Sequence, residues 1–417
     1  MKERVIFFGA GQYPKNNFNT LREKYEPLCF CDRKAKPNDE LFGVPVLPPS
    51  ALKEIYPNTP ILVTMDKNNK YAVFSWLVEI FGISEDRILE YTPVMKDISC
   101  HLLDSHAVLI LNNNNKYEWM FCCNEGCRNV PPHINFDIND SACSIVTTMQ
   151  EYRKSIKVSL IKHEKCKCTG CIMLEEKYVP LASHPLNVSP LKGVTLIPKI
   201  TCNARCIYCN EYLNKTSQID IFKFKAILKE MEIKGLLDMN THFTLGSGEI
   251  TLHPQRKNII SAIKNYNRTI LSNCLIYDES IISCNNPKNR QIINCSLDSG
   301  TQATYNKVKG IDKFDTVICN IKQYAKNANI ELKYIILPGM NDNEKDIVGF
   351  IEIAKNTNAS SIILSRNHHN MTPLNDYTIT IIRNLLKEAQ NNGIKIDIIS
   401  NHFSAVEMQA ILKDENE

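Results

Sequence analysis

The sequence predicts an α/β protein, a partial (β/α)6 barrel preceded by a small α/β domain and a cysteine-rich segment. Short β-branched or aromatic runs alternate with helical-period segments over most of the 417 residues. A Gly-x-Gly turn follows the first of those runs, and cysteines crowd into 122–127, 166–171 and 202–209, dividing the chain into three. The domains expected are 1–98, 99–190 and 191–417, the last carrying a C-terminal extension.

Hydrophobic residues at 43% and charged residues at 23% are ordinary for a globular protein, so disorder and fibrous structure are excluded. A net charge of +4 without a long Lys/Arg run gives no reason to expect a nucleic-acid partner. The opening "MKERVIFFGAGQ" is too short in its apolar part for a signal segment. No 18 apolar residues run without a charge, so no membrane span and a cytoplasmic location are expected. Disulfides are then unexpected, and 17 cysteines require metal or redox chemistry for their clusters. Isolated Cys29, Cys31, Cys100, Cys143, Cys284 and Cys319 read as small buried apolar residues.

In the first domain, "RVIFFGAGQ" (4–12) is a strand ending in Gly9-x-Gly11, and "PLCFCD" (27–32) is a second strand ending in Asp32. That opening is a Rossmann-like βαβ unit, in which the glycines admit a phosphate and the acid meets a ribose hydroxyl. Pro14 stands where a third glycine belongs. A domain of this fold that packs or recognises a partner without a dinucleotide is an equal reading. With "TPILVTM" (59–65) as a third strand, the stretch resembles Rossmann-like modules attached to bacterial enzymes of surface-polysaccharide and nucleotide-sugar metabolism.

The middle segment holds "FCCNEGC" and "CKCTGC". Two close pairs of thiolates supply four ligands to zinc or to an iron–sulfur centre, and separated pairs chelate with less strain than adjacent ones. Cys123, Cys127, Cys168 and Cys171 are the candidates.

From residue 193, six strands are expected: 194–200, 242–248, 268–273, 291–298, 331–337 and 361–366. Helical segments separate most of them, which places chemistry on the loops after the C-terminal strand ends. A further strand over 394–400 and a closing helix from 402 are the extension.

The first of those loops carries Cys202-x3-Cys206-x2-Cys209. Three thiolates leave one iron of a [4Fe–4S] cluster without a protein ligand, open to the amine and carboxylate of S-adenosylmethionine. This motif, with Tyr208 before the last cysteine, resembles the radical SAM superfamily. The resemblance implies reductive cleavage of S-adenosylmethionine to a 5'-deoxyadenosyl radical that abstracts hydrogen from a substrate. It extends to "LGSGEITLHP", "LSNC", "SLDSGTQATYNKVKG" and "ILPGMND" at later strand ends. It sets Gly246, Ser247, Gly248 and Glu249 by the methionine amino group, with Asn273 closing the third strand. Ser296 and Asp298 fall toward the ribose or carboxylate, and Pro338 along the adenine. As a favoured cap residue, Asp298 also fits the N-cap of the next helix. The middle cysteines resemble part of the auxiliary-cluster region called SPASM or twitch, which in that superfamily follows the barrel rather than preceding it.

Substrate groups are expected from "SRNHHNM", with Arg366 and His368 as candidates beside His369, and His253 as a further one. The substrate class expected is a small molecule or polymer precursor, namely a sugar, nucleotide-sugar or surface-polysaccharide precursor, with electrons from an external donor. A peptide- or protein-modifying enzyme of SPASM type is the alternative. A zinc-stabilised scaffold without catalysis is the reading from another class.

Overall fold

The computed structural model describes residues 2–111, 116–122, 132–137, 139–171, 173–180, 190–282, 291–367 and 372–413. Cys123, Cys127, Cys284, His368 and His369 lie outside them. In chain order the strands are β1 Glu3–Phe8, β2 Tyr25–Cys31, β3 Glu40–Leu41, β4 Val44–Leu47, β5 Ile61–Val63, β6 Val94–Ser99, β7 His106–Leu111, β8 Lys116–Met120 and β9 His133–Asp137. There follow β10 Glu175–Pro180, β11 Gly193–Ile197, β12 His242–Leu245, β13 Asn267–Ser272, β14 Gln291–Ser296, β15 Asn329–Ile336, β16 Ser361–Arg366 and β17 Ile396–Ile398.

Two compact units emerge: 1–99 with 157–166 and 174–187, and 100–156 with 167–173 and 188–417. In the first, the sheet order is β3-β4-β2-β1-β5, parallel except for β3. Strand alternation explains why β1 is central. Ile6 and Phe8 face one core with Cys29, Leu52, Ile61 and Phe74, while Val5 and Phe7 face another with Phe18, Phe30 and Leu62. A separate antiparallel pair, β6 with β10, belongs to the same unit.

The second unit holds a ten-stranded sheet in the order β17-β16-β15-β14-β13-β12-β11-β7-β8-β9. The run from β7 through β11 to β17 is parallel throughout, and the β8–β9 hairpin is antiparallel to it. Each strand from β11 to β17 pairs with the next in sequence. Helices Ile221–Ile233, Arg256–Ala262, Phe314–Tyr324, Glu344–Asn356 and Asp376–Asn391 lie in the connections. The six expected strands are present, with β17 where a further one was expected. The sheet is longer than expected because "HAVLIL" pairs as β7 with β11, Val108 opposite Thr195. For that reason 99–190 is not a body of its own: it is shared between the two units.

Among the isolated cysteines, Cys29, Cys31 and Cys100 are buried as expected, but Cys143 and Cys319 are exposed. Helix Phe314–Tyr324 buries Val317, Asn320, Ile321 and Tyr324, a stripe at helical spacing that Cys319 misses. Among the described residues, no helix is long and apolar enough to cross a membrane.

Candidate functional site

The loop carrying Cys202, Cys206 and Cys209 leaves β11 at its C-terminal end. Its backbone is fastened from outside. Arg205 N–H donates to Lys309 O and Ile207 N–H to Val308 O, each at 3.0 Å, and Cys209 N–H turns back to Cys206 O at 3.1 Å. All three thiols are half-buried. Cys202 Sγ accepts from Ala204 N–H and from Asn273 Nδ2, both at 3.5 Å. Burial pushes the Cys202 and Cys209 thiols up, while the Lys309 ammonium works against that rise at Cys209.

Asn273 brings the end of β13 to this loop. Its amide also donates to Asn203 Oδ1 at 2.7 Å, and its Oδ1 accepts Leu275 N–H at 2.9 Å. From the end of β12 comes Gly246-Ser247-Gly248-Glu249. Gly248 has φ +62°, and a Cβ there would stand 2.0 Å from Ile200 O, so only glycine lets this turn lie against the start of the cysteine loop. Ser247 Oγ donates to Glu211 Oε2 at 2.9 Å, a second tie between the two loops.

Glu249 is fully buried. Its Oε1 accepts from Thr251 N–H at 3.1 Å, Thr251 Oγ1 at 2.9 Å and Ser272 Oγ at 3.0 Å, and its Oε2 accepts Asn273 N–H at 2.7 Å. Burial pushes its carboxyl up, against those donors. The Glu249 side chain therefore ties the ends of β12 and β13 together.

Ser296 ends β14, half-buried. Asp298 has φ +58° and is fully buried, contacting the Lys309 ammonium and accepting from Tyr208 Oη, while its Oδ1 accepts Ile335 N–H at 2.7 Å. It is not an N-cap. Thr301 caps helix Gln302–Lys309 through Thr304 N–H. Both carboxylate oxygens of Asp298 are held inside the protein, so its expected reach to a ribose is not what this geometry offers. The Tyr208 ring packs on Val308, Ile335 and Leu337.

Ile207 and Tyr208 with Leu337, Pro338, Arg366 and Asn375 line a cavity of about 440 Å³ at the ends of β15 and β16. Arg366 is 4% exposed there. Its Nη1 donates to Glu407 Oε1 at 2.8 Å and its Nη2 to Thr372 O, so its charge is already balanced. His253 is fully buried, Nε2 donating to Ser217 O at 2.9 Å and Nδ1 accepting Gln255 N–H at 3.0 Å. Both ring nitrogens serve the fold, which removes it as a substrate group.

In the middle segment, Cys171 N–H bonds Cys168 O at 3.0 Å across a turn where Gly170 has φ +76°. Both thiols are half-buried. Among the described residues, no three His, Cys, Asp or Glu side chains close on a single metal ion. A four-iron cluster does not ask for that, since each thiolate meets its own iron. Three half-buried thiols on one loop, one of them taking N–H donors, fit such a cluster.

Lys309 is the site residue that the sequence reading passed over. Tyr305, Val308 and Lys309 form the buried face of their helix at i, i+3 and i+4. A lysine on the apolar face, eleven residues after an aspartate at a strand end, is the signal that marks it.

No family model matches the chain. The GTPase Obg of Brachyspira hyodysenteriae is 26% identical over 216 residues, 48% of this chain and 31% of that protein, so the chain spans under a third of this curated relative's length. None of the 15 glycines is followed by lysine, so the phosphate-binding G-x-x-x-x-G-K-[S/T] loop is not in the sequence. Among solved structures, Streptococcus suis SuiB bound to S-adenosylmethionine is 12% identical with a TM-score of 0.41, covering 70% of this chain and 71% of that one. A radical SAM methyltransferase from Sphaerobacter thermophilus is 10% identical with a TM-score of 0.38, covering 79% and 88%. Archaeal TYW1 is 20% identical with a TM-score of 0.29, covering 40% and 58%. These likenesses are slight, and the functional reading stands on the residues.

Proposed function

We propose that this chain is a radical SAM enzyme. The observation that carries the proposal is the fixed loop of three half-buried thiols, Cys202, Cys206 and Cys209, beside a glycine-flanked turn and a cavity at neighbouring strand ends. Those thiolates hold a [4Fe–4S] cluster, which with bound S-adenosylmethionine supplies one-electron cleavage to a 5'-deoxyadenosyl radical. The rest is the protein's work. Asn273 and the Ala204 N–H fix Cys202. The backbone carbonyls of the 246–248 turn receive the methionine amine. Tyr208 and Pro338 wall the cavity that would shield an adenine from water, and Ser296 ends the neighbouring strand β14. Electrons come from an external donor.

For the substrate we propose a sugar, nucleotide-sugar or surface-polysaccharide precursor. The support is the doubly wound strand order of the first unit and its cavity of about 310 Å³, lined by Gly11, Lys15, Asp32 and Lys34 at the ends of β1 and β2. Cys123 and Cys127 together with Cys168 and Cys171 hold a second iron–sulfur cluster or zinc.

The test is iron and sulfide content of anaerobically reconstituted protein, with 5'-deoxyadenosine measured after adding S-adenosylmethionine and dithionite. Wild type is expected to bind at least four irons and release the nucleoside. Cys202→Ala/Cys206→Ala/Cys209→Ala is expected to lose about four irons and all cleavage. Wild type that binds no iron would sink the proposal. Iron remaining in the triple variant that is lost on Cys168→Ala/Cys171→Ala locates the second cluster.

A further inference from the structure

Beneath the cysteine loop lies a buried ion pair with no task in the chemistry so far. Lys309 is 2% exposed and Asp298 0%. Their charged groups touch, and Tyr208 Oη engages both, accepting from Nζ at 2.7 Å and donating to Oδ2. The ammonium stands 5.3 Å from the centre of the Tyr208 ring. The residues on either side of Cys206 are clamped by backbone bonds to Val308 and Lys309, the helix end that carries the charge. Besides Asp298 and Tyr208, the titratable groups facing the ammonium include the thiols of Cys206, Cys209 and Cys295. A buried pair is rarely more stable than apolar packing of the same volume, so stability alone gives no reason for a cation here.

We infer that Lys309 is a positioning residue for charge: its ammonium, held under the Cys206 loop by Asp298 and Tyr208, raises the reduction potential of the cluster bound by Cys202, Cys206 and Cys209. The inference rests on the cluster reading given under the proposed function. Reduction adds one electron from an external reductant and takes the cluster from 2+ to 1+, with no bond made or broken. The added negative charge falls in a poorly screened interior, where a nearby cation stabilises it and a nearby carboxylate opposes it. Substituting the two partners therefore pulls the potential in opposite directions.

The experiment is a dithionite redox titration followed by electron paramagnetic resonance, with iron and sulfide assayed on the same samples. Wild type, Lys309→Met, Lys309→Arg and Asp298→Asn are compared. At the wild-type midpoint, the reduced-to-oxidised ratio is expected to fall about tenfold in Lys309→Met, about 59 mV for one electron. It is expected to rise in Asp298→Asn and to stay near wild type in Lys309→Arg. Where only one charge-changing variant keeps its iron, that variant decides. An unchanged midpoint in an iron-replete variant overturns the inference. So does loss of iron from both Lys309→Met and Asp298→Asn, since the pair is then an anchor only. Wild type without iron removes the cluster reading itself, a result separate from any shift among variants.

Discussion

Two loops leave the C-terminal ends of parallel strands, one after β1 and one after β11, and they differ in what their polar groups already hold. After β1, Asp32 Oδ2 accepts Ala10 N–H at 3.0 Å and its Oδ1 accepts Lys34 N–H at 2.9 Å. Each oxygen of the acid thus takes part in fastening the turn. After β11 the fastening is done by backbone bonds to Val308 and Lys309, and the three thiols are not what holds the loop. A motif offers chemistry when the fold is carried by other groups.

The largest expected effect tests how tightly the second loop is built. Gly248→Ala places a Cβ 2.0 Å from a backbone carbonyl at φ +62°, whereas Gly9→Ala, at φ +112°, brings it only to 3.0 Å from Thr64 O and Met65. Strain and overlap together predict a loss of roughly 4 kcal/mol for Gly248→Ala, against about 2 kcal/mol for Gly9→Ala. Urea denaturation measures both. Equal losses would break the contrast.

Glu249→Gln comes next. Four donors converge on this carboxylate, and a glutamine NH2 must face either the Thr251 side or the Asn273 N–H. Mispairing a buried donor predicts about 2 to 3 kcal/mol. Iron content should fall in parallel if Asn273 is released from Cys202. A variant as stable as wild type would show that the carboxylate is not the tie between β12 and β13. A smaller effect follows in the other unit: Asp32→Ala leaves two N–H groups to water and predicts about 1 kcal/mol. It should leave iron content unchanged.

Much of this was legible in the sequence because strand and helix periods are local. The six strands after residue 193, the closing helix and the cysteine loop follow from alternation and spacing. What escaped depends on partners distant in sequence. Strand β7 was hidden because "HAVLIL" looks like any short apolar run until Gly193–Ile197 pairs with it. Glu249 matched a motif, but its inward turn depends on Ser272 and Asn273, 23 and 24 residues on. Asp298 fits a cap by type, yet Thr301 takes that place and Lys309 takes the aspartate. Arg366 had the right position for an anion, and only Glu407, 41 residues later, shows that its charge is met.

Glu407 gives the finest test of the contrast, because from helix Ala405–Leu412 it holds Arg366, a third strand-end group engaged by the fold. It closes a capping box with Ser404, its Oε2 accepting Ser404 N–H at 2.7 Å, and its Oε1 accepts Leu374 N–H at 2.9 Å besides Arg366. Burial pushes the carboxyl up, but the Leu374 and Ser404 donors and the Arg366 charge outweigh it, leaving the group below the usual glutamate value. The folded chain therefore binds this proton less tightly than the unfolded chain. Its stabilisation is complete above the ordinary glutamate pKa of about 4.3 and is lost as pH falls through the lower folded value. Amide protection factors over Ala405–Leu412, rates corrected for intrinsic exchange at each pH, are expected to fall in that acid window in wild type. In Glu407→Gln protection should be lower at neutral pH and change less on acidification. If the two proteins respond alike to acid, Glu407 does not anchor the end of β16, and Arg366 returns as a candidate for a substrate anion.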